Sequence, residues 1–419
     1  MSDMMDYSEI EIDFRTSVAL WYCIFMYLCR ECVIMCDSEI MDLNFYHDML
    51  QIDSTTGRER ELADYLAQKM SAPGRTIEKQ EVMSMASACA EGAEVPVNLY
   101  VAWGEPKVVF CTHLDTVPPY IPPVSDGKKV MGRGTCDAKG QIFSMWEACL
   151  ELENRGYTDF GLLLLAGEET GSFGAKEFTA RMEGRFPSDA VVIVGEPTEN
   201  HMTSASKGTK SFEVTFKGEA FHSGYPQYGR SAVEMFGDFL NVLRSIVFPK
   251  DGLLGETTWN IGKLISDNPQ NILSDSLTCR VYFRTTFESD EMVCNIMKNI
   301  AGPDAKLRFG RRQVQDGSDI VSKDVAVWQK FMTVKAFGGD TPTNYETFEG
   351  FPVKPVAFGS DAPQLKCFER KILCGPGAIL VAHRDDEHIL LSDIGTAVAQ
   401  YVRMYELIMG ESGQTSLQA

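Results

Sequence analysis

The chain has 419 residues, 44% apolar and 23% charged, the composition of a globular protein of roughly two domains with a large core. Its formal net charge of −20 argues against nucleic acid or an anionic membrane as partner, because both select a basic surface. Twelve scattered cysteines are too sparse for a disulfide scaffold and suit a reducing, cytoplasmic compartment.

Residues 1–40 read as an N-terminal extension outside the fold. An acidic head (Asp3, Asp6, Glu9, Glu11, Asp13) precedes the apolar run 17–29, which falls short of the ~20 residues of a membrane helix. A secretory signal would have a basic head and a small-residue cleavage site, and neither is present. Cys23, Cys29, Cys32 and Cys36 cluster here, but no second Cys/His pair follows at zinc-finger spacing, so they read as incidental. More ordinary sequence opens at Met41, which reads as the true start; a peripheral anchor is the alternative reading of the extension.

Asp53-Ser-Thr-Thr-Gly-Arg-Glu-Arg-Glu-Leu62 predicts an N-capped helix with acid in its first turns. Strands are predicted at 97–103 and 107–112. The second stops at His113, with Asp115 two residues on and the turn-formers Pro118 and Pro119 behind it. His-x-Asp at a strand end offers an imidazole to a metal, beside a carboxylate that can orient the ring or take a proton. The loop Gly132-Arg-Gly-Thr-Cys-Asp-Ala-Lys-Gly140 carries Asp137 and leads into a helix at 141–155. Two more apolar strands repeat the design: 161–167 runs into Glu168-Glu169-Thr170, and 190–195 into Glu196-Pro-Thr198. Near-continuous apolar strands separated by helices predict an α/β fold, a mostly parallel sheet covered on both faces. Each strand has polar residues past its carboxyl end, where open α/β sheets bind ligands.

From about Lys207 the pattern becomes α+β: strand 211–218, helix 229–246, strands 259–265 and 277–286, helix 289–300. This reads as an inserted domain. After about Val314 the α/β character returns, with a strand at 371–374, the loop Gly375-Pro-Gly377, His383, and a last helix capped by Ser392 and ending near Gly410.

Taken singly, each loop acid reads as solvated. Taken together, His113, Asp137, Glu168, Glu169, Glu196 and His383 close five segments with ligand-type residues. Two histidines with several carboxylates and no conspicuous cysteine suit a divalent site, zinc first, cobalt or manganese as alternatives. So many ligands suggest two metals sharing a bridging carboxylate and acting on one water. The spare member of the Glu168–Glu169 pair can then serve as general base.

His113-Leu-Asp-Thr-Val-Pro, Gly132-Arg-Gly-x-x-Asp137-Ala-Lys-Gly, Glu168-Glu-Thr-Gly, Gly195-Glu-Pro-Thr and Ala382-His383-x-x-x-Glu387, in this order, resemble the M20 family of metallohydrolases. The resemblance covers about 41–410. It implies that Asp137 bridges two zinc ions, with His113 and Glu196 completing one site and Glu169 and His383 the other. It further implies Glu168 as general base and Asp115 as the residue holding the His113 ring. The inserted segment resembles the family's lid and dimerisation domain, whose histidine, here His222, stabilises the tetrahedral intermediate in the partner's site. Asn271, in Asn-Ile-Leu-Ser, departs from the family's turn at Ser274, where proline is usual. Arg284 matches a strand arginine suited to a substrate carboxylate. Ser360, Asp361 and 375–377 resemble the remaining active-site loops; His388, Lys207 and Arg230 read as surface or structural.

The implied organisation is an extension (1–40), a catalytic domain in two parts (41–206 and 314–412), an inserted lid (207–313) and a tail (413–419). The implied activity is zinc-dependent hydrolysis of the amide bond of a small N-acyl amino acid, of acetylornithine or acetyl-lysine deacetylase type, by a homodimer in the cytoplasm with neither nucleic-acid nor membrane partner. A dipeptidase, aminopeptidase or carboxypeptidase is the alternative within the family. A non-catalytic metal-binding protein is the rival outside it, disfavoured because Glu168 and all five ligand positions are filled.

Overall fold

The computed structural model describes residues 41–86, 94–300 and 329–415, with side chains through Gly410. The expected extension 1–40, its cysteine cluster and residues 416–419 lie outside the described residues.

Six strands form the main sheet in the order Arg75–Glu81, Val97–Trp103, Phe160–Leu165, Val108–His113, Val191–Val194, Arg370–Leu373. Val97–Trp103 pairs antiparallel with both its neighbours, and the other pairings are parallel. This is the mostly parallel sheet expected. Its three central strands are buried along their whole length. Alternation of side chains explains why: Val109, Cys111, Leu163 and Val192 pack with Ala175 and Phe178 of the helix Phe173–Met182. The intervening side chains face the opposite layer, where Phe110 meets Tyr401 of the C-terminal helix edge-on at 5.7 Å. The helix Lys139–Asn154 lies against these strands and against the C-terminal helix Leu391–Thr415. Each large apolar side chain buried this way contributes about 1.5–3 kcal/mol.

The inserted unit is a four-stranded antiparallel sheet, in the order Thr258–Ile265, Ser276–Thr285, Gly208–Lys217, Met332–Gly338. Phe212, Val214 and Phe216 alternate inward and meet Met235 and Phe239 of the helix Ala232–Ser245 and Val293 and Met297 of the helix Asp290–Asn299. The return to the first unit, expected at about Val314, comes later, because Met332–Gly338 is the fourth strand of this sheet. Only Met332 of that strand is buried, so no alternating pattern marks it in the sequence.

Two predicted caps are corrected. Asp53 does not start a helix; its carboxylate accepts from the amide and hydroxyl of Thr55, closing a turn, and the helix begins at Glu59. Ser392 lies inside the last helix, which starts at Leu391 and continues to Thr415. Among the described residues no helix is long and apolar enough to cross a membrane.

Candidate metal centre

Parallel pairing brings the predicted ligands together. His113 ends its strand opposite Leu165, and Cys111 stands opposite Val194, so three carboxyl ends lie side by side. Glu168 and Glu196 each follow their strand by a short turn. The first of these turns needs Gly167: its φ is +73°, and a Cβ there would stand 2.5 Å from Met85 Sδ. Asp137 comes from the loop before the helix Lys139–Asn154, and His383 from the loop before the strand His388–Leu390.

The two carboxylate oxygens of Asp137 face different histidines. Oδ1 lies 3.0 Å from His113 Nε2, and Oδ2 lies 3.2 Å from His383 Nε2. His383 Nε2 is also 3.0 Å from Glu169 Oε1. Two groups of candidate ligand atoms result, each lying within 4.8 Å: His113, Asp137 and Glu196, and Asp137, Glu169 and His383. Asp137 is common to both. The first group is buried, whereas His383 in the second is exposed. Glu168 joins His113 and Glu169 in a third group of the same dimension.

Asp115 lies against the His113 ring, nearer by its backbone than by its carboxylate. The ring Nδ1–H donates to the backbone carbonyl of Asp115 at 2.9 Å, which leaves Nε2 as the ligand nitrogen. The Asp115 carboxylate stands farther off, at 3.5 Å. It is engaged elsewhere: Oδ1 accepts the Glu168 amide at 3.0 Å, and Oδ2 accepts the Glu169 amide at 3.2 Å and the Thr56 hydroxyl at 2.9 Å.

Burial pushes the carboxyls of Glu168, Glu169 and Glu196 above their usual range. Repulsion adds to the shift, from Asp137 on Glu196 and from Asp361 and Glu169 on Glu168, while His113 opposes it. Asp137 goes the other way: against the cost of burial, hydrogen bonds with His113 and His383 hold it well below its ordinary value. A buried cluster so rich in carboxylates, with two imidazoles among them, is the electrostatic and donor setting that divalent cations fit.

The remaining candidates sit on the inserted unit. His222 is exposed in a turn, where its Nδ1 accepts the Gly224 amide at 3.1 Å. It bridges to Ile272, and the Asn271 carbonyl accepts from the Ser223 amide at 2.9 Å, so His222 and Asn271 are neighbours. Neither forms a described hydrogen bond to the strand-end cluster. Arg284, half-buried, stacks over Tyr282 and reaches toward Gly359, where an added Cβ would lie 3.5 Å from its Nη1. That contact brings the arginine of one unit to the loop of Ser360 and Asp361 on the other. His388, read as surface, is half-buried and tied by Nδ1 to the Asp386 carbonyl.

Two further acids near the centre are buried: Glu59, outside every motif quoted above, and Asp361, on the loop that resembles an active-site loop. Glu59 is fully buried, and burial together with the charge of Asp115 pushes its carboxyl up to about 8. In the sequence it is indistinguishable from any first-turn acid. Asp361 is 2% exposed, and neither of its oxygens has a well-formed hydrogen bond. Burial pushes it up to about 7, against the favourable influence of Ser172.

The description "Peptidase family M20/M25/M40" matches residues 109–407. The chain is 33% identical over 392 residues to a probable carboxypeptidase of Aspergillus oryzae, covering 87% of this chain and 86% of that protein. It is 31% identical over 371 residues to a peptidase M20 domain-containing protein of Schizosaccharomyces pombe, covering 86% and 83%. Among solved structures it is similar to a tripeptidase from Staphylococcus aureus, with a TM-score of 0.67 at 18% identity over 87% of this chain and 97% of that one. An M20 family metallo-carboxypeptidase from Sulfolobus solfataricus gives a TM-score of 0.65 at 13% identity, over 87% and 98%.

Proposed function

The chain belongs to peptidase family M20/M25/M40 and is a hydrolase, and from that premise we propose that it uses two divalent cations, zinc first, to cleave the amide bond beside a free carboxylate in a short peptide. The carrying observation is the pair of ligand groups that share Asp137, with Glu168 in the adjoining group. His113, Asp137 and Glu196 would hold one ion, and Asp137, Glu169 and His383 the other. Such ions, when bound, supply polarisation of the scissile carbonyl and acidification of the attacking water.

The chain's own residues do the rest. Glu168 takes a proton from the water and returns it to the leaving amine; its burial and acidic neighbours raise its affinity for that proton. Asp115 fixes Glu168 by its backbone amide. Arg284 and Asn271 grip the substrate carboxylate, the planar guanidinium donating two parallel hydrogen bonds to its oxygens. His222 from a second copy of the chain, docked through the inserted unit, donates to the developing oxyanion.

The expected deacylation of N-acyl amino acids breaks the same kind of bond beside the same carboxylate. The Aspergillus oryzae relative, at 33% identity a probable carboxypeptidase, supports the carboxypeptidase reading. A panel of N-acyl amino acids, dipeptides and longer peptides, assayed with and without chelator alongside metal content, separates the two. Release of C-terminal residues from peptides, abolished by chelator, supports the proposal; turnover of acyl amino acids alone restores the deacylase, and absence of bound or acquired metal overturns the centre.

A further inference from the structure

The two ligand groups are held by different means. His113 and Glu196 come from adjacent strands whose backbones continue to bond past the sheet: the Gly195 amide donates to the Cys111 carbonyl at 2.8 Å, and the Thr112 hydroxyl to the Gly195 carbonyl at 3.0 Å. His383 has no such support. Its loop is exposed at residues 383–386, and its own φ is +64°, a conformation that a histidine rarely adopts unaided.

That loop is pinned at its end by one buried side chain. Glu387 is 0% exposed. Its Oε1 accepts the backbone amides of both Cys136 and Asp137 at 3.1 Å, and its Oε2 accepts from Arg133 Nη1 at 2.6 Å. Arg133, 2% exposed, donates from the same nitrogen to the Arg384 carbonyl at 3.2 Å. The Gly132 amide closes the junction on the Glu387 carbonyl at 2.9 Å. Thus the segment carrying Asp137 and the segment carrying His383, remote in sequence, meet where the strand His388–Leu390 pairs with Lys129–Met131, and beside that pairing through a buried ion pair and the amides its carboxylate takes. Such pairs add little net stability, since desolvation offsets most of their attraction; their use is to select one arrangement.

We propose that Glu387 and Arg133 are positioning residues that hold Asp137 and His383 in register, and so set the affinity of the metal position formed by Asp137, Glu169 and His383. This rests on the two-metal reading above. Outer partners that orient metal ligands typically change affinity by about 10–100-fold when lost. The position formed by His113, Asp137 and Glu196 shares Asp137 but takes its other two ligands from the sheet, and so is weakened less.

The test is a zinc titration of the chelator-stripped full chain against a competing indicator, for the wild type and for Glu387→Gln and Arg133→Lys. Wild type should take up two ions. Glu387→Gln should bind one ion about 10–100-fold more weakly and the other, which shares only Asp137 with the disturbed segment, less weakened than that. Arg133→Lys keeps the charge but not the planar fork and should fall between. Amide exchange, read without metal, should accelerate at Cys136 and Asp137 in Glu387→Gln while the central strands stay protected. Where the lone buried arginine charge prevents folding, the double variant Arg133→Gln, Glu387→Gln removes both charges and carries the same measurements. Equal weakening of both ions, or two ions at unchanged affinity, overturns the positioning role. A wild type that binds no zinc instead overturns the two-metal reading on which the role rests, and is recognised in the control arm.

Discussion

The carboxylate of Asp115 accepts the backbone amide of Glu168 at 3.0 Å. Its second oxygen takes the next amide, that of Glu169, so one buried side chain sets both the proposed base and a proposed ligand. The amides are the free donors of a short helical turn, Glu168–Gly171, and a carboxylate at such a turn satisfies donors that would otherwise face a buried interior.

Asp115→Asn should therefore depress turnover more than metal content. The His113 ring is held by the backbone carbonyl of residue 115, which the substitution keeps. An asparagine can accept one amide through its remaining oxygen but presents an NH2 group to the other. Steady-state kinetics and zinc analysis on one preparation check this; loss of the ion held by His113 with an unchanged rate would return the carboxylate to the ring.

Glu168→Ala should retain metal and lose activity by roughly 10²–10⁴-fold, the range for a general base. The alanine keeps the backbone amide on Asp115, so the turn survives. Wild-type turnover in this variant would remove Glu168 from the base position.

His222→Ala should lower kcat by roughly 10²–10³-fold, as for loss of one oxyanion donor, with metal content unchanged. If His222 acts on a second copy, two inactive chains complement one another. Mixing His222→Ala with Glu168→Ala under exchange conditions should restore roughly a quarter of wild-type activity, since random two-fold assortment leaves one intact site in each mixed dimer. No recovery, with exchange verified by mass, confines the histidine to its turn.

Glu59→Gln should flatten the pH dependence of stability. Burial and Asp115 raise the Glu59 carboxyl from 4.5 to about 8, so the folded protein holds a proton there that the unfolded chain has released. The stability this proton contributes is fully present below pH 4.5 and is lost as pH rises through about 8. Glutamine does not titrate. The difference in Tm, variant minus wild type, should increase steadily from pH 5 to pH 8, by at most ~1.4 kcal/mol in stability for each unit crossed. A difference independent of pH would show that Glu59 is ionised throughout.

Much of this molecule is legible without coordinates. The apolar runs at 108–112, 161–165 and 190–194 announce central strands, since only a strand buried on both faces can be apolar at every position. A parallel sheet must then line up their carboxyl ends, which places His113, Glu168 and Glu196 together before any fold is seen. The strand Met332–Gly338 escaped this reading because it lies at the edge of its sheet with one buried residue, leaving no periodic signal.

The tertiary structure decided the partners. That the Asp115 carboxylate, 3.5 Å from the imidazole, also takes two amides depends on how the Glu168 turn closes over it, not on the spacing of His113 and Asp115. Glu387 could be seen four residues beyond His383, but its partners Arg133, Cys136 and Asp137 lie some 250 positions away. Hydrophobic periodicity is local and survives in the sequence as a pattern. The pairing of a buried carboxylate with its donors is settled by chain closure, where every amide taken out of water must find whichever acceptor the fold delivers.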